Sequence, residues 1–363
     1  MMEHAKIAVM TKINSNFELR SYPLTPPPEG MARLKLVASG VCGTDVHIRE
    51  GRLPVATPAA IGHEFVGTVE EASGSGIGPG DNAIVYIARP CGECPLCANG
   101  DDANCVRMEV TNSENPDVPP HFYGGFGEYN YTPIENLIKI PPELPPERVC
   151  AFACAGPTAM RAFRLGMNAG LEPGRIKTAV IQGLGPIGLF AAAYLSAAGA
   201  EQIVSVTRTA DERRERAARS LGVTECLRLS EHAPTDIAGR VLDMTDGLGA
   251  DLVYEASGNP SAFRLGLDML RNRGMYLLPG QYSDSGTVSI PPQIITFKAL
   301  RVIGASQYSK SDVTSYLKFF AEDPRVAEAA ASITDRYPLH DIDRAFDDAS
   351  AGKNIKTMIV PQG

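Results

Sequence analysis

The chain has 363 residues, 44% of them hydrophobic and 21% charged, with a formal net charge of −8. That length suffices for two domains with separate cores, and the composition is that of an ordinary globular protein. The acidic balance argues against nucleic acid or an anionic membrane as the main partner, and no apolar run reaches the roughly 18 residues of a membrane span.

The opening segment Met1–Ile7 carries no apolar core of signal-peptide length. Eight cysteines in such a chain are expected as reduced thiols or metal ligands in the cytoplasm. Short apolar or alternating runs at Lys6–Met10, Ala32–Ser39, Phe65–Glu70 and Asn82–Ile87 predict strands, separated by Gly, Pro and Asp. The four glycines between Gly74 and Gly80 predict a loop. Pro145-Pro146-Glu147 has the proline and the acid of a helix start, and the Ala-rich stretch through Gly166 continues it as helix. From Lys177 strand and helix alternate. Strands are expected at Thr178–Gln182, Gln202–Val206, Asp251–Glu255 and Met275–Pro279. Helices are expected at Ile187–Ala198, Asp211–Leu221 and Ser261–Leu270. That alternation implies a doubly wound parallel sheet. After about residue 300 it stops. The tail ending Lys356-Thr357-Met358-Ile359-Val360 is expected to return to the first domain.

Cys91, Cys94, Cys97 and Cys105 form a C-x2-C-x2-C-x7-C run. Two-residue gaps let tight turns aim successive sulfurs at one point, which predicts a closed structural zinc site. Disulfides fit this spacing less well in a chain without secretory features. An iron–sulfur run would close C-x3-C-P, whereas Val106 follows Cys105 after a longer gap. A zinc ribbon gripping nucleic acid would need a basic chain.

Gly183-Leu184-Gly185-Pro186-Ile187-Gly188 is a G-x-G-x-x-G loop between a predicted strand and a predicted helix. Gly183 permits the tight turn, Gly185 a close pyrophosphate and Gly188 close helix–strand packing. The acid that binds a free ribose 2′-hydroxyl is missing at the end of the next strand, which reads Val206-Thr207-Arg208. A hydroxyl at Thr207 with guanidinium groups at Arg208 and Arg213 suits a 2′-phosphate, so NADP(H) is expected over NAD(H). Arg214, Arg216 and Arg219 read as a solvated helix face.

Cys42 and His63, at turn glycines twenty-one residues apart, are candidate ligands of a second, catalytic zinc, a site type that keeps one open position. The motifs Val41-Cys42-Gly43-Thr44-Asp45-Val46-His47, Gly62-His63-Glu64-Phe65-Val66-Gly67 and Gly124-Gly125-Phe126-Gly127-Glu128-Tyr129 accompany them. With the four-cysteine run and the glycine loop, the whole chain resembles the zinc-dependent alcohol dehydrogenases of the medium-chain dehydrogenase/reductase family.

The resemblance implies an α/β protein. A GroES-like β-rich catalytic domain would span 1–155, a Rossmann doubly wound parallel sheet 156–299, and a C-terminal return 300–363, with the active site in the cleft between the domains. It implies two zinc ions per chain, the catalytic one on Cys42, His63 and a third ligand. Cys154 fits the third place because Thr158 follows it by four residues; Cys150 then reads as a buried small hydrophobe. Glu64 stands beside that zinc in the family. Thr158 helps seat the nicotinamide. Thr44 and His47 are implied as the hydroxyl and imidazole of a proton relay. Gly43 replaces the basic residue that many relatives carry there against the pyrophosphate. The function implied is hydride transfer between a nicotinamide cofactor and a small alcohol, of secondary alcohol or polyol type, or the matching carbonyl. A homo-oligomer, dimer or tetramer, is the expected assembly. A zinc-free enone or quinone reductase on the same fold leaves the Cys42, His63 and Cys154 set unused, and a zinc-bearing binding module leaves the glycine loop unused. His121, in a Pro- and Tyr-rich loop, is a candidate substrate-cleft residue.

Overall fold

Among the described residues Met31–Val41 is the longest strand, and the first unit is built around it. Its alternation turns Ala32, Leu34, Leu36 and Ala38 into the core. The computed structural model describes residues 3–72, 76–112, 114–281 and 283–361; the glycine loop expected over 74–80 lies partly outside the described residues. Among the described residues, a seven-stranded sheet runs in the order Thr334–Pro338, Lys356–Val360, Met31–Val41, Glu64–Ala72, Asn82–Val85 and Leu137–Lys139. Tyr129–Pro133 is its seventh strand. One edge of the central strand is shared. Its first half pairs with Tyr129–Pro133, and Ser39 to Val41 pair with Ile359 to Thr357. The C-terminal strand thus completes the sheet begun near the N-terminus.

A second unit holds a six-stranded parallel sheet among the described residues. Its order is Glu225–Arg228, Gln202–Thr207, Thr178–Gln182, Ala250–Glu255, Leu270–Leu278 and Arg301–Gly304. This is the 3-2-1-4-5-6 order of a doubly wound dinucleotide-binding sheet. Thr178 to Gln182 are all buried, as a strand covered on both faces requires.

Two expectations need correction. The helix expected to run unbroken to Gly166 is two helices, Pro146–Cys150 and Ala155–Asn168, with turns at 151–154 between them. Pro157 accounts for the break: it has no N–H, and its ring would strike the carbonyl of Ala153 in a continuous helix. Cys150 and Cys154 therefore do not share one helix face. The last 64 residues are also not a single return. Arg301–Gly304 is the sixth strand of the parallel sheet, paired with Met275–Leu278. The helix Pro324–Ile333 also belongs to the second unit, where Arg325 donates to Ser196 Oγ at 3.1 Å. The first unit comprises residues 1–154, 309–321 and 334–363. Among the described residues no helix is long and apolar enough to cross a membrane.

The return strand is anchored by a helix. Ile342–Ser350 buries Ile342, Ala345 and Phe346 against Phe17, Phe126 and Val41. The Phe346 ring lies 4.8 Å from Phe17 and 5.4 Å from Phe126, with the Arg49 guanidinium 5.6 Å over its centroid. Phe346→Ala removes this keystone and is expected to cost about 3–5 kcal/mol of first-unit stability. A loss below about 1 kcal/mol in urea unfolding would show that the site collapses freely and that the helix is anchored elsewhere.

Candidate active site

Register brings the first cluster together. Gly40 pairs with Glu64 across antiparallel strands, so Cys42, just past one, and His63, just before the other, emerge at the same end of the sheet. Gly62, with φ of +103°, makes the turn that aims His63, and its carbonyl accepts from Gly125 N and Asn112 Nδ2. Cys42 caps the helix Gly43–Arg49. Cys154 comes from the turn that closes the N-terminal segment of the first unit. One ligand atom from each of Cys42, His63, Glu64 and Cys154 lies within 4.8 Å of all the others. Cys150 is not in this group; its sulfur donates to the carbonyls of Ala38 and Glu64.

Asp45 orients two of the candidate ligands. It is fully buried, accepts from Cys42 N at 2.9 Å, and places Oδ1 3.1 Å from His63 Nδ1. That contact occupies one ring nitrogen and leaves Nε2 for a cation, the usual arrangement of a metal-bound histidine. Burial opposes a charge on His63, but Asp45 and Cys42 overcome it and hold the imidazole well above its ordinary 6.5. The Cys154 thiol donates to Cys42, which together with His63 pulls Cys42 down to about 6 against burial and Glu64. Burial raises the Glu64 carboxyl, yet Lys356 and His63 bring it below its ordinary value. Lys356 is itself buried and forms an ion pair with Glu64. Gly40 makes room for that pair, since a Cβ there would lie 2.7 Å from Lys356 Cε. Two sulfurs, an imidazole nitrogen and a carboxylate oxygen suit zinc in both number and softness.

Sequence reasoning gave Asp45 and Lys356 no role. Asp45 stood three residues after the cap Cys42, a capping-box position. Lys356 was the one charge in an apolar strand. Thr44 and His47 lie three apart on the helix that Cys42 caps, hence on one face, and both are half-buried. His121 stacks on Tyr22 at 4.2 Å, which ties its loop to the Glu18–Pro23 strand, and its Nδ1 lies 3.0 Å from Pro116 O within the loop.

The four-cysteine run closes on itself. The sulfurs of Cys91, Cys94, Cys97 and Cys105 all lie within 4.8 Å of one another. Backbone N–H groups of Cys91, Cys94, Cys97 and Arg107 donate to sulfurs of the set at 3.2–3.5 Å. Such donors stabilise thiolates, and those of Cys97 and Val106 help pull Cys94 down to about 6. All eight cysteines are free thiols.

In the second unit the glycine loop leaves the strand Thr178–Gln182 and opens the helix Pro186–Ala197, with Pro186 in its first turn. Gly183 has φ of +95°, and a Cβ on it would lie 2.9 Å from Ser257 Cα. Gly185 has open space where its Cβ would be, and Gly188 packs on the Gly183 carbonyl. Leu184 is buried and Ile187 half-buried. Thr207 ends the next strand, half-buried, with Oγ1 on Thr209 O at 3.2 Å; Arg208 beside it is exposed. Arg213 faces away from that role in part: its Nε and Nη2 donate to Ser332 O near the end of the helix Pro324–Ile333. Arg214 is not a purely solvated residue. It binds Asp211 and reaches Leu184 O of the glycine loop at 3.5 Å. Thr158 lies on the helix Ala155–Asn168.

Two family models match the chain. The alcohol dehydrogenase GroES-like domain covers residues 28–142, and the zinc-binding dehydrogenase model covers 186–322. The chain is 30% identical to the 5-exo-hydroxycamphor dehydrogenase of Pseudomonas putida over 99% of both chains. It is also 30% identical to the alcohol dehydrogenase class-3 of Myxine glutinosa, over 98% of this chain and 97% of that one. The solved alcohol dehydrogenase of Thermotoga maritima superposes with a TM-score of 0.90 over 99% of both chains, at 24% identity. Fold, family models and full-length relatives agree: this chain is an oxidoreductase of the zinc-type alcohol dehydrogenases, within the medium-chain dehydrogenase/reductase family.

Proposed function

We propose that the chain moves hydride between an alcohol carbon, of secondary alcohol or polyol type, and NADP(H), using one catalytic and one structural zinc. The observation that carries this reading is the convergence of Cys42, His63, Glu64 and Cys154 on one point, in a chain that also holds a dinucleotide loop. Cys42, His63 and Cys154 would hold a zinc ion, which would supply a Lewis acid for the substrate oxygen. A bound nicotinamide would supply the hydride acceptor, and Thr44 would accept the proton of the substrate hydroxyl. His47, next on the same helix face, accepts that proton and releases it to water. Thr158 seats the nicotinamide, and Gly183, Leu184, Gly185, Pro186, Ile187 and Gly188 seat the pyrophosphate. Eight thiols, two sets of them in metal-ligand geometry, fit a reducing cytoplasm.

The two metal sites have separable signatures. Cys97→Ser is expected to lose one zinc per chain and several degrees of thermal stability. Cys42→Ser is expected to keep its thermal transition while turnover falls at least about 100-fold. Turnover that survives complete zinc removal, with zinc followed by metal analysis, would sink the mechanism. A single zinc, held at the four-cysteine lobe of an active wild-type enzyme, would favour enone or quinone reduction instead.

Cofactor choice rests on Thr207 and Arg208, since Arg213 is engaged at Ser332. NADP(H) is expected to give the higher kcat/KM in steady-state assays, and Arg208→Ala to lower it about 10- to 100-fold for NADP(H) alone. A higher kcat/KM with NAD(H) in the wild type would refute the assignment.

The relay predicts a pH dependence. Burial, helped by Arg52 and opposed by Glu50, pulls His47 below its ordinary 6.5. A lowered value keeps the ring neutral, and able to accept a proton, to lower pH. Alcohol oxidation is then expected to hold through neutrality and fall only on the acid side. Arg52→Gln removes a lowering charge and should move that fall to higher pH. His47→Gln should cut turnover about 10- to 100-fold and be partly rescued by added imidazole. An unchanged rate and profile in His47→Gln would remove His47 from the relay.

A further inference from the structure

Glu255 is a buried carboxyl that the proposed mechanism leaves unused. It ends the strand Ala250–Glu255, opposite Gln182, the last residue before the glycine loop. This is where the strand order reverses, the point at which doubly wound sheets bind dinucleotides. Its side chain is wholly inaccessible. Oε1 accepts three hydrogen bonds, from Ser257 N at 2.7 Å, Ser257 Oγ at 2.5 Å and Gly258 N at 2.9 Å. The Gln281 side chain also hydrogen-bonds to the carboxylate, and Oε2 lies where a Cβ on Gly280 would come within 2.5 Å of it.

Those contacts join three strand ends. Ser257 packs on Gly183, so closely that a Cβ there would lie 2.9 Å from Ser257 Cα. Gly258 packs on the Gly280 carbonyl, with a Cβ distance of 3.0 Å, and Gly280 N donates to Glu255 O at 3.0 Å. The crests after Thr178–Gln182, Ala250–Glu255 and Leu270–Leu278 are therefore packed without slack, and Glu255 is the side chain beneath them. Burial pushes its carboxyl up from the usual range, while hydrogen bonds from Ser257, Gly258 and Gln281 pull against that. A carboxyl in this place works by hydrogen bonding, not by offering a charge to solvent.

We propose that Glu255 is a positioning residue for the nicotinamide half of the dinucleotide, fixing the Ser257-Gly258 turn against the glycine loop and against Gly280. This rests on the reading of the glycine loop as the cofactor site. A doubly wound sheet has two mononucleotide halves. Thr207 belongs to the half formed by Thr178–Gln182, Gln202–Thr207 and Glu225–Arg228. Glu255 belongs to the other, with Leu270–Leu278 and Arg301–Gly304. Its loss should therefore be felt by one half of the ligand only.

The test compares two ligands on the zinc-loaded enzyme: the whole reduced dinucleotide, followed by nicotinamide fluorescence, and 2′,5′-ADP, followed by calorimetry. Glu255→Leu strands three donors and is expected to raise the Kd of the dinucleotide about 10- to 100-fold while leaving that of 2′,5′-ADP unchanged. Glu255→Gln keeps an acceptor for them and should stay within about 3-fold of wild type. Where Glu255→Leu does not fold, Ser257→Ala removes one donor at the surface of the turn and should give a smaller loss confined to the dinucleotide. Equal losses for both ligands, or no loss for the dinucleotide, would overturn the positioning role. A wild type that binds neither ligand would instead overturn the cofactor site itself.

Discussion

The buried pair of Glu64 and Lys356 is the interaction on which the first unit turns. It joins residues 292 apart in sequence, and both side chains are only 3% exposed. Neither charge would be tolerated there alone; stripping one partner from a buried pair costs about 3–5 kcal/mol. The pair therefore makes the return strand Lys356–Val360 a condition for ionised Glu64 beside His63. It also explains Gly40, because the central strand can pass between the two side chains only without a Cβ. Completion of the sheet and the ionised Glu64 of the cluster thus depend on the same pair.

Charge within the cluster follows from that arrangement. Cys42, Cys154, Glu64 and Asp45 could together carry four negative charges, against Lys356 alone. Protons on His63 and on the Cys154 thiol meet part of the difference: Asp45 and Cys42 hold the first, and the hydrogen bond to Cys42 with burial holds the second, well above their ordinary values. A divalent cation would take over that compensation and displace the protons, so that metal affinity rises with pH. Asp45 would keep its place throughout, fixing the ring of His63 from the far side.

Much of this was legible in the sequence because it is written locally. Two-residue cysteine gaps specify a turn and a tetrahedral set, and the six residues Gly183 to Gly188 specify a strand–turn–helix on their own. The second ligand set was legible only as residue types at turn glycines, since its geometry depends on the register Gly40 to Glu64. Lys356 was not legible as a partner: nothing near it in sequence marks the residue it meets. The broken helix at 151–154 could have been found from Pro157, whose ring forbids a continuous turn. The division of residues 300–363 between two units was hidden because Arg301-Val302-Ile303-Gly304 is too short a run to announce a sheet strand.

The arginines of the second unit show why charge type is a weaker signal than ligand spacing. Arg213 and Arg214 are adjacent on one helix, equally basic in sequence, and the structure uses them oppositely. Arg213 satisfies a helix-end carbonyl at Ser332, whereas Arg214, held by Asp211, braces the glycine loop through Leu184. A guanidinium has five donors and finds whichever carbonyl or carboxylate lies within reach. Its role is thus set by neighbours distant in the chain. A cysteine at metal spacing carries its partners with it. For this reason the four-cysteine run could be read as a site from its spacing alone, while the arginines could be read only as phosphate-binding candidates. Arg208 keeps that candidacy because it is exposed at the strand end, next to Thr207, which holds the place where an acid would meet a free 2′-hydroxyl.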